Sequence, residues 1–239
     1  MKLVMVHGNG RHGSTWHYAD MLREALAVRG AVEVREFSMP QDLTDHCLGC
    51  FNCFMKGEDK CPHAAKVAPI AEAIAEADVI VLTSPVYALD VSGGMKTLLD
   101  HLCYRWIIHR PDPRLFSAVG VTVSTTAGAG LGHAAKTMRN SLRFWGVRHA
   151  LSLKMPVAAA EWNGVSEKKR ARMQASARRV ARKIERLLAR PLGSLMRRMI
   201  FLGIRQALKA DKWNERDREY WRDMGWLDGG NPFRTARDA

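Results

Sequence analysis

Four of the five cysteines in this chain fall within residues 47–62, CLGCFNCFMKGEDKCP, at the spacing Cys-x2-Cys-x2-Cys-x7-Cys. Cys47, Cys50 and Cys53 are each separated by two residues. Thiolates so placed can wrap three corners of an iron–sulfur cubane, and Cys61 can supply the fourth from the short loop beyond. Zinc is more often held by two separated Cys-x2-Cys knuckles, so it fits this run less well. A disulfide staple belongs to oxidising compartments. A Cys-x-x-Cys redox pair stays open, because Gly49 and Asn52 suit a tight turn. A reduced loop that only shapes a neighbouring pocket or a subunit contact is the plain alternative. Cys103 lies on an apolar stretch of helical spacing and reads as core.

Three further stretches have the composition of ligand loops. HGNGRHGSTW, residues 7–16, combines glycines that let a backbone approach a ligand with Ser14 and Thr15, which can cap a following helix. A helix start presents unpaired N–H groups and a positive dipole end, which suits a phosphate. The stretch lacks the Gly-Lys-Ser/Thr close of a Walker loop and matches a Gly-x-Gly-x-x-Gly fingerprint only in part. SPVYALDVSGGMK, residues 84–96, offers a turn fixed by Pro85, a flat aromatic surface at Tyr87 and a helix cap at Ser92. STTAGAGLG, residues 124–132, is again rich in glycine and hydroxyls. Taken singly, the second and third read as tight turns; three together, each at the end of a strand, point to a ligand. His7, His12 and His17 surround the first loop and read as packing or hydrogen-bonding residues, with no proton-transfer role.

The elements that position these loops can be read from periodicity. Apolar runs at 2–7, 31–37, 78–84, 118–124 and 150–157 predict five strands, of which the third is nearly all apolar and the second alternates with charge. Helical spacing predicts helices at about 14–29, 64–77, 94–109, 132–144 and 166–189. Strands that alternate with helices imply βαβ units and a parallel sheet covered on both faces. In open sheets of this kind, ligands bind beyond the carboxyl ends of the strands, where all three loops fall.

The net charge of +13 is unevenly placed. Residues 1–165 hold 17 Lys and Arg against 15 Asp and Glu, whereas residues 166–239 hold 20 against 9. The first part therefore reads as an ordinary near-neutral domain, and the excess belongs to an amphipathic basic helix and the residues beyond it. We expect a domain at 1–190, with a cysteine-rich insertion at 46–63, and a basic helical extension at 191–239. Residues 192–210 interleave Leu, Met, Ile and Phe with arginines, a pattern open to an arm packed on a second subunit or to peripheral membrane contact; the first is favoured. The tail at Trp213–Gly230 is expected to pack back on the domain or on a partner subunit. No DNA-binding motif is present, so DNA is not expected. No apolar run reaches membrane-spanning length, and the short apolar start lacks signal-peptide features, so a cytoplasmic protein is expected.

The combination of loops resembles the flavodoxin-like NADPH-dependent FMN reductase family. Its marks here are the Gly/Ser/Thr loop at 10–15, Ser-Pro-Val-Tyr at 84–87, then Ser92, Lys96 and Asp100, and the Thr/Gly loop at 125–130. The resemblance covers about residues 1–160. One departure is His7-Gly8-Asn9, where relatives often carry Gly-Ser-Pro. The resemblance implies a three-layer α/β fold with five parallel strands in the order 2-1-3-4-5. It implies that Asn9, Gly10, Arg11, Gly13, Ser14 and Thr15 hold the phosphate of FMN. Pro85, Val86, Tyr87, Ala88 and Leu89 would flank the flavin ring with Thr125, Thr126, Ala127, Gly128 and Gly130. NAD(P)H would deliver hydride directly to the flavin, so no catalytic side chain is expected. The cysteine run resembles that of the iron–sulfur flavoprotein branch, which implies Cys47, Cys50, Cys53 and Cys61 as ligands of a [4Fe–4S] cluster, although Pro62-His63 replaces the acidic residues typical there. Electrons would come from NAD(P)H or a ferredoxin-like donor and leave to a quinone, a small electrophile or a protein acceptor. A homodimer or homotetramer is implied, with the flavin near a subunit boundary. The competing expectation is a redox-sensing or membrane-surface module without turnover.

Overall fold

A computed structural model describes residues 1–189, 195–210, 214–230 and 232–233. The first unit runs β1 (Lys2–His7), α1 (Ser14–Ala27), β2 (Glu33–Ser38), α2 (Asn52–Met55), α3 (Ala64–Glu76), β3 (Val79–Thr83), α4 (Gly93–His101), β4 (Val119–Thr126), α5 (Leu131–Phe144), β5 (His149–Pro156) and α6 (Glu167–Leu188). The five strands form one parallel sheet in the order β2-β1-β3-β4-β5, as expected.

Side chains alternate across the sheet, and both faces are apolar. Leu3, Met5, Val79, Val81, Val119, Val121 and Val123 pack with α1 and α6 on one face. Val4, Val6, Ile80 and Leu82 pack with α3, α4 and α5 on the other. β3 is buried along its whole length, while the edge strand β2 is largely exposed, which accounts for its charged alternation. Gly120 of β4 has a steric reason: a Cβ there would lie 2.8 Å from Leu142 of α5.

The helix expected at 94–109 stops at His101 and gives way to 3-10 turns at Cys103–Arg105 and Pro113–Phe116. The Ile107 N–H, which a continued helix would turn to the Cys103 carbonyl, donates instead to the Phe144 carbonyl of α5 at 2.6 Å. Cys103 thus sits half-buried in a turn rather than on a core helix.

The C-terminal extension forms α7 (Leu195–Ala210) and α8 (Glu215–Asp223). A third apolar cluster joins it to the first unit: Phe201, Leu208, Trp221, Trp226, Leu227 and Phe233 pack on Phe116. Phe201 and Trp221 stack at 4.5 Å. The Trp221 indole donates to the His109 carbonyl at 2.7 Å, and the Tyr220 hydroxyl donates to the Pro111 carbonyl at 2.6 Å. The tail therefore packs on its own domain. Trp213, Leu192 and the expected boundary at 190–191 lie outside the described residues. Among the described residues, no helix is long and apolar enough to cross a membrane.

Candidate functional site

The loops after β1, β3 and β4 meet at the carboxyl end of the sheet. Gly8 begins the first. Its N–H donates to the Thr83 carbonyl at 2.7 Å, and its carbonyl accepts from Ser92 Oγ at 2.7 Å. Ser92 also caps α4 by accepting from the Met95 N–H, as expected. α1 is capped differently. Gly13, not Ser14 or Thr15, occupies the cap position, and no side chain bonds there. Thr15 Oγ1 instead meets Thr125 Oγ1 at 2.6 Å, which ties the first loop to the third. The N–H groups of Ser14, Thr15 and Trp16 consequently have no partner among the described residues. Three free N–H groups at a helix start form an anion cradle. Arg11 stands beside it, with its guanidinium donating to the Ala160 carbonyl at 3.2 Å.

The second loop turns tightly. Tyr87 and Asp90 exchange backbone hydrogen bonds of 2.9 and 3.0 Å across Ala88 and Leu89. Those two residues have φ of 47° and 66°, left-handed values that cost a non-glycine residue roughly 1 kcal/mol or more. Tyr87, Ala88 and Leu89 are exposed there, and Asn9 Nδ2 donates to the Tyr87 hydroxyl at 2.9 Å. The Val86 N–H donates to the Thr125 carbonyl at 3.0 Å and links the second loop to the third. Gly130, at φ +90°, lets the third loop lie against the second: a Cβ would stand 2.6 Å from Val86 Cγ1 and 2.9 Å from the Leu89 carbonyl oxygen. Thr126 accepts from the Gly128 N–H at 3.1 Å and leaves Ala127 and Gly128 exposed. Asn9, Gly10, Arg11, Gly13, Ser14 and Thr15, residues 85–89, and residues 125–128 with Gly130 thus form one rim. An exposed strained turn beside an uncapped helix start fits a ligand with a flat polar ring and a phosphate, which is the chemistry of FMN.

The sequence places Ser84, Ser124 and His7 in or beside these loops but does not show the bonds that they make. Ser84 Oγ accepts from the Ser92 N–H at 2.8 Å, and Ser124 Oγ donates to the Ser84 carbonyl at 2.7 Å. Gly94 lies where a Cβ would meet the Gly8 carbonyl oxygen at 2.7 Å; the Gly93-Gly94 pair was its only signal. His7 is buried, with Nδ1 3.0 Å from Thr83 Oγ1 and Nε2 2.6 Å from Glu36 Oε1. Burial holds the His7 pKa below its ordinary value, partly opposed by Glu36. The unfolded chain then binds a proton near pH 6.5 that the folded chain resists. We expect stability to be full above that pH and to fall as pH drops below it. Urea midpoints at pH 8 and 5.5 should show a smaller acid loss in His7→Gln than in the parent protein; an equal loss in both would remove His7 as its source.

The cysteines share one loop beside α4 and the turn after it. Gly49 and Phe51 are left-handed on either side of Cys50, which wraps the chain between thiols. Cys47 and Cys50 are exposed, Cys53 and Cys61 half-buried, and all are free thiols. Burial raises the Cys53 thiol to about 11, helped by the charges of Cys61 and Cys47. Burial likewise raises Cys103 to about 12, with contributions from Cys53 and Cys47, so the fifth cysteine neighbours the loop. The four-thiol donor set fits an iron–sulfur cluster in its chemistry. Among the described residues, no three His, Cys, Asp or Glu side chains already converge on one metal-sized point.

Residues 1–163 match the model of the NADPH-dependent FMN reductase family. An iron–sulfur flavoprotein of Archaeoglobus fulgidus is 30% identical over 149 residues, 62% of this chain and 64% of that protein. One from Methanocaldococcus jannaschii is 31% identical over 124 residues, 52% of this chain and 61% of its own length. The chain thus spans under two thirds of these relatives. Among solved structures, an azoreductase of Bacillus anthracis aligns with a TM-score of 0.60 at 15% identity, covering 77% of this chain and 99% of that one. An apo NADH:FMN oxidoreductase aligns at 0.53 and 18% identity, covering 76% and 89%. These two share the fold. With the loops in the places such a fold requires and the family model matched through residue 163, the chain belongs to the NADPH-dependent FMN reductase family.

Proposed function

We propose that the protein is an FMN-dependent oxidoreductase that draws electrons from NAD(P)H and passes them to a small-molecule or protein acceptor. The observation that carries this reading is the convergence of three loops on the uncapped start of α1. When bound, FMN supplies the hydride-accepting chemistry. The chain's own residues bind and orient. The N–H groups of Ser14, Thr15 and Trp16, with Arg11, hold the phosphate. Asn9 fixes the hydroxyl of Tyr87 and so the attitude of its ring. The 2.6 Å bond between Thr15 and Thr125 keeps the two sides of the rim at a set distance.

The same proposal gives Cys47, Cys50, Cys53 and Cys61 to a [4Fe–4S] cluster, which would supply one-electron transfer beside a two-electron flavin. The Cys-x2-Cys-x2-Cys-x7-Cys spacing and the mutual influence of these thiols support it, as do relatives named iron–sulfur flavoproteins. The test is the visible spectrum of anaerobically purified protein, with iron and acid-labile sulfide assayed on the same sample and NADPH added afterwards. Flavin bands that bleach with NADPH, together with iron and sulfide, are expected. Flavin without iron would leave the reductase and remove the cluster. A colourless protein that takes up no added FMN would overturn both.

A further inference from the structure

The cysteine loop is held by a residue far outside the family-matched span. α2, which carries Cys53, has four residues, too few to be stable alone. Its last carbonyls lack partners within the helix. Arg110 supplies them: its guanidinium donates to the Cys53 carbonyl and, at 3.3 Å, to the Phe54 carbonyl. The same guanidinium bonds to Asp217 of α8, with the two side chains 3% and 2% exposed. Glu58 Oε2 approaches Arg110 at 3.4 Å, and the Tyr104 ring lies beneath it at 5.7 Å. Asp217 is fully engaged. Its Oδ2 lies 2.7 Å from His109 Nδ1 and accepts from Asn214 Nδ2 at 2.9 Å. His109 in turn meets the Phe54 ring edge-on at 4.8 Å.

A buried ion pair is a poor source of net stability against an apolar pair of equal volume, and its best-attested use is to fix one arrangement among several. Here the arrangement fixed is that of α2. We propose that Asp217 is a positioning residue of the cysteine site: through Arg110 it seats the backbone of Cys53 and Phe54, so that the C-terminal extension is a working part of the cluster-binding loop. This rests on the cysteine reading proposed above. Residue 217 lies beyond the family match, which ends at 163, so the device is a property of this chain's extension.

The test compares the full-length parent with Asp217→Asn. In the metal-free protein, iodoacetamide labelling of each cysteine is followed by peptide mass analysis, with the exposed Cys50 as internal reference. In the parent, Cys53 should label more slowly than Cys50. In the variant, Cys53 labelling should rise by about tenfold relative to Cys50, as local opening of its segment requires, with the FMN content unchanged. After reconstitution with ferrous iron and sulfide, the variant's cluster absorbance should bleach faster in air than the parent's. Unchanged Cys53 labelling in a folded variant would overturn the proposal. A parent that takes up no iron would defeat the cluster reading alone, and the labelling comparison would still judge the clamp. Should Asp217→Asn fail to fold, Arg110→Gln with Asp217→Asn removes both buried charges and is read the same way.

Discussion

Gly8→Ala is expected to cost roughly 2–4 kcal/mol of stability and most of the flavin affinity, the sum of overpacking and broken buried hydrogen bonds. A Cβ at residue 8 would lie 2.4 Å from Ser92 Oγ, 2.9 Å from Met95 Cβ and 2.9 Å from the Thr83 carbonyl oxygen. None of these can yield freely. Thr83 belongs to the central strand β3, and Met95 is fully buried in α4. Ser92 Oγ bonds to the Gly8 carbonyl and the Met95 N–H and lies 3.2 Å from Ser84 Oγ, so displacing it loosens the second loop as well as the first. Gly132→Ala is the control, because no atom beyond its chain neighbours and its own helix backbone lies within 4 Å of its added Cβ and alanine favours a helix by up to ~1 kcal/mol. Urea unfolding and an FMN fluorescence titration measure both effects. If Gly8→Ala matched Gly132→Ala within about 0.5 kcal/mol, the ordinary scatter of surface substitutions, the close crossing of the first loop and α4 would not control the rim.

Trp221→Ala should cost ~3–5 kcal/mol, the range for emptying a large aromatic site, and the loss should be local. Trp221 is fully buried, stacks on Phe201 and bonds to the His109 carbonyl. Its cluster reaches the first unit chiefly through Phe116 and the turns near it. The sheet has its own two cores on its two faces, neither of which contains Trp221. The variant should therefore acquire an early thermal transition and new protease cleavage within residues 195–230, while the later transition and FMN binding persist. A single transition that moves as a whole would mean that the extension and the sheet unfold together. An unchanged transition and cleavage pattern would mean that other contacts hold the extension.

The sheet was legible because its physics is local. Lys2–His7 and Val79–Thr83 are runs too apolar for an exposed strand and too short for a helix, and Ser92 three residues before Met95 is a cap by spacing alone. The misjudged features depend on partners far along the chain. Ser14 and Thr15 looked like caps, but Thr125, 110 residues away, claims Thr15. The α4 pattern runs on past His101 in the sequence, but Phe144, far along the chain, claims the Ile107 N–H. Cys103 read as core because nothing in sequence places it beside Cys53 and Cys47. Asp217 was one acid among many charges in ERDREYWRD, and only the fold singles it out.

Arg110 and Asp217 are separated by 107 residues, and that separation is also an interval of time. A ribosome that adds about 5–20 residues per second needs roughly 5–20 s to reach the aspartate after the arginine. Throughout that interval the cysteines at 47–61 already exist, while the helix that seats them does not. On the cysteine reading proposed above, the nascent thiols would be open to metal and to oxidants before their loop is fastened, and α8, made later than the loop, would close it behind them.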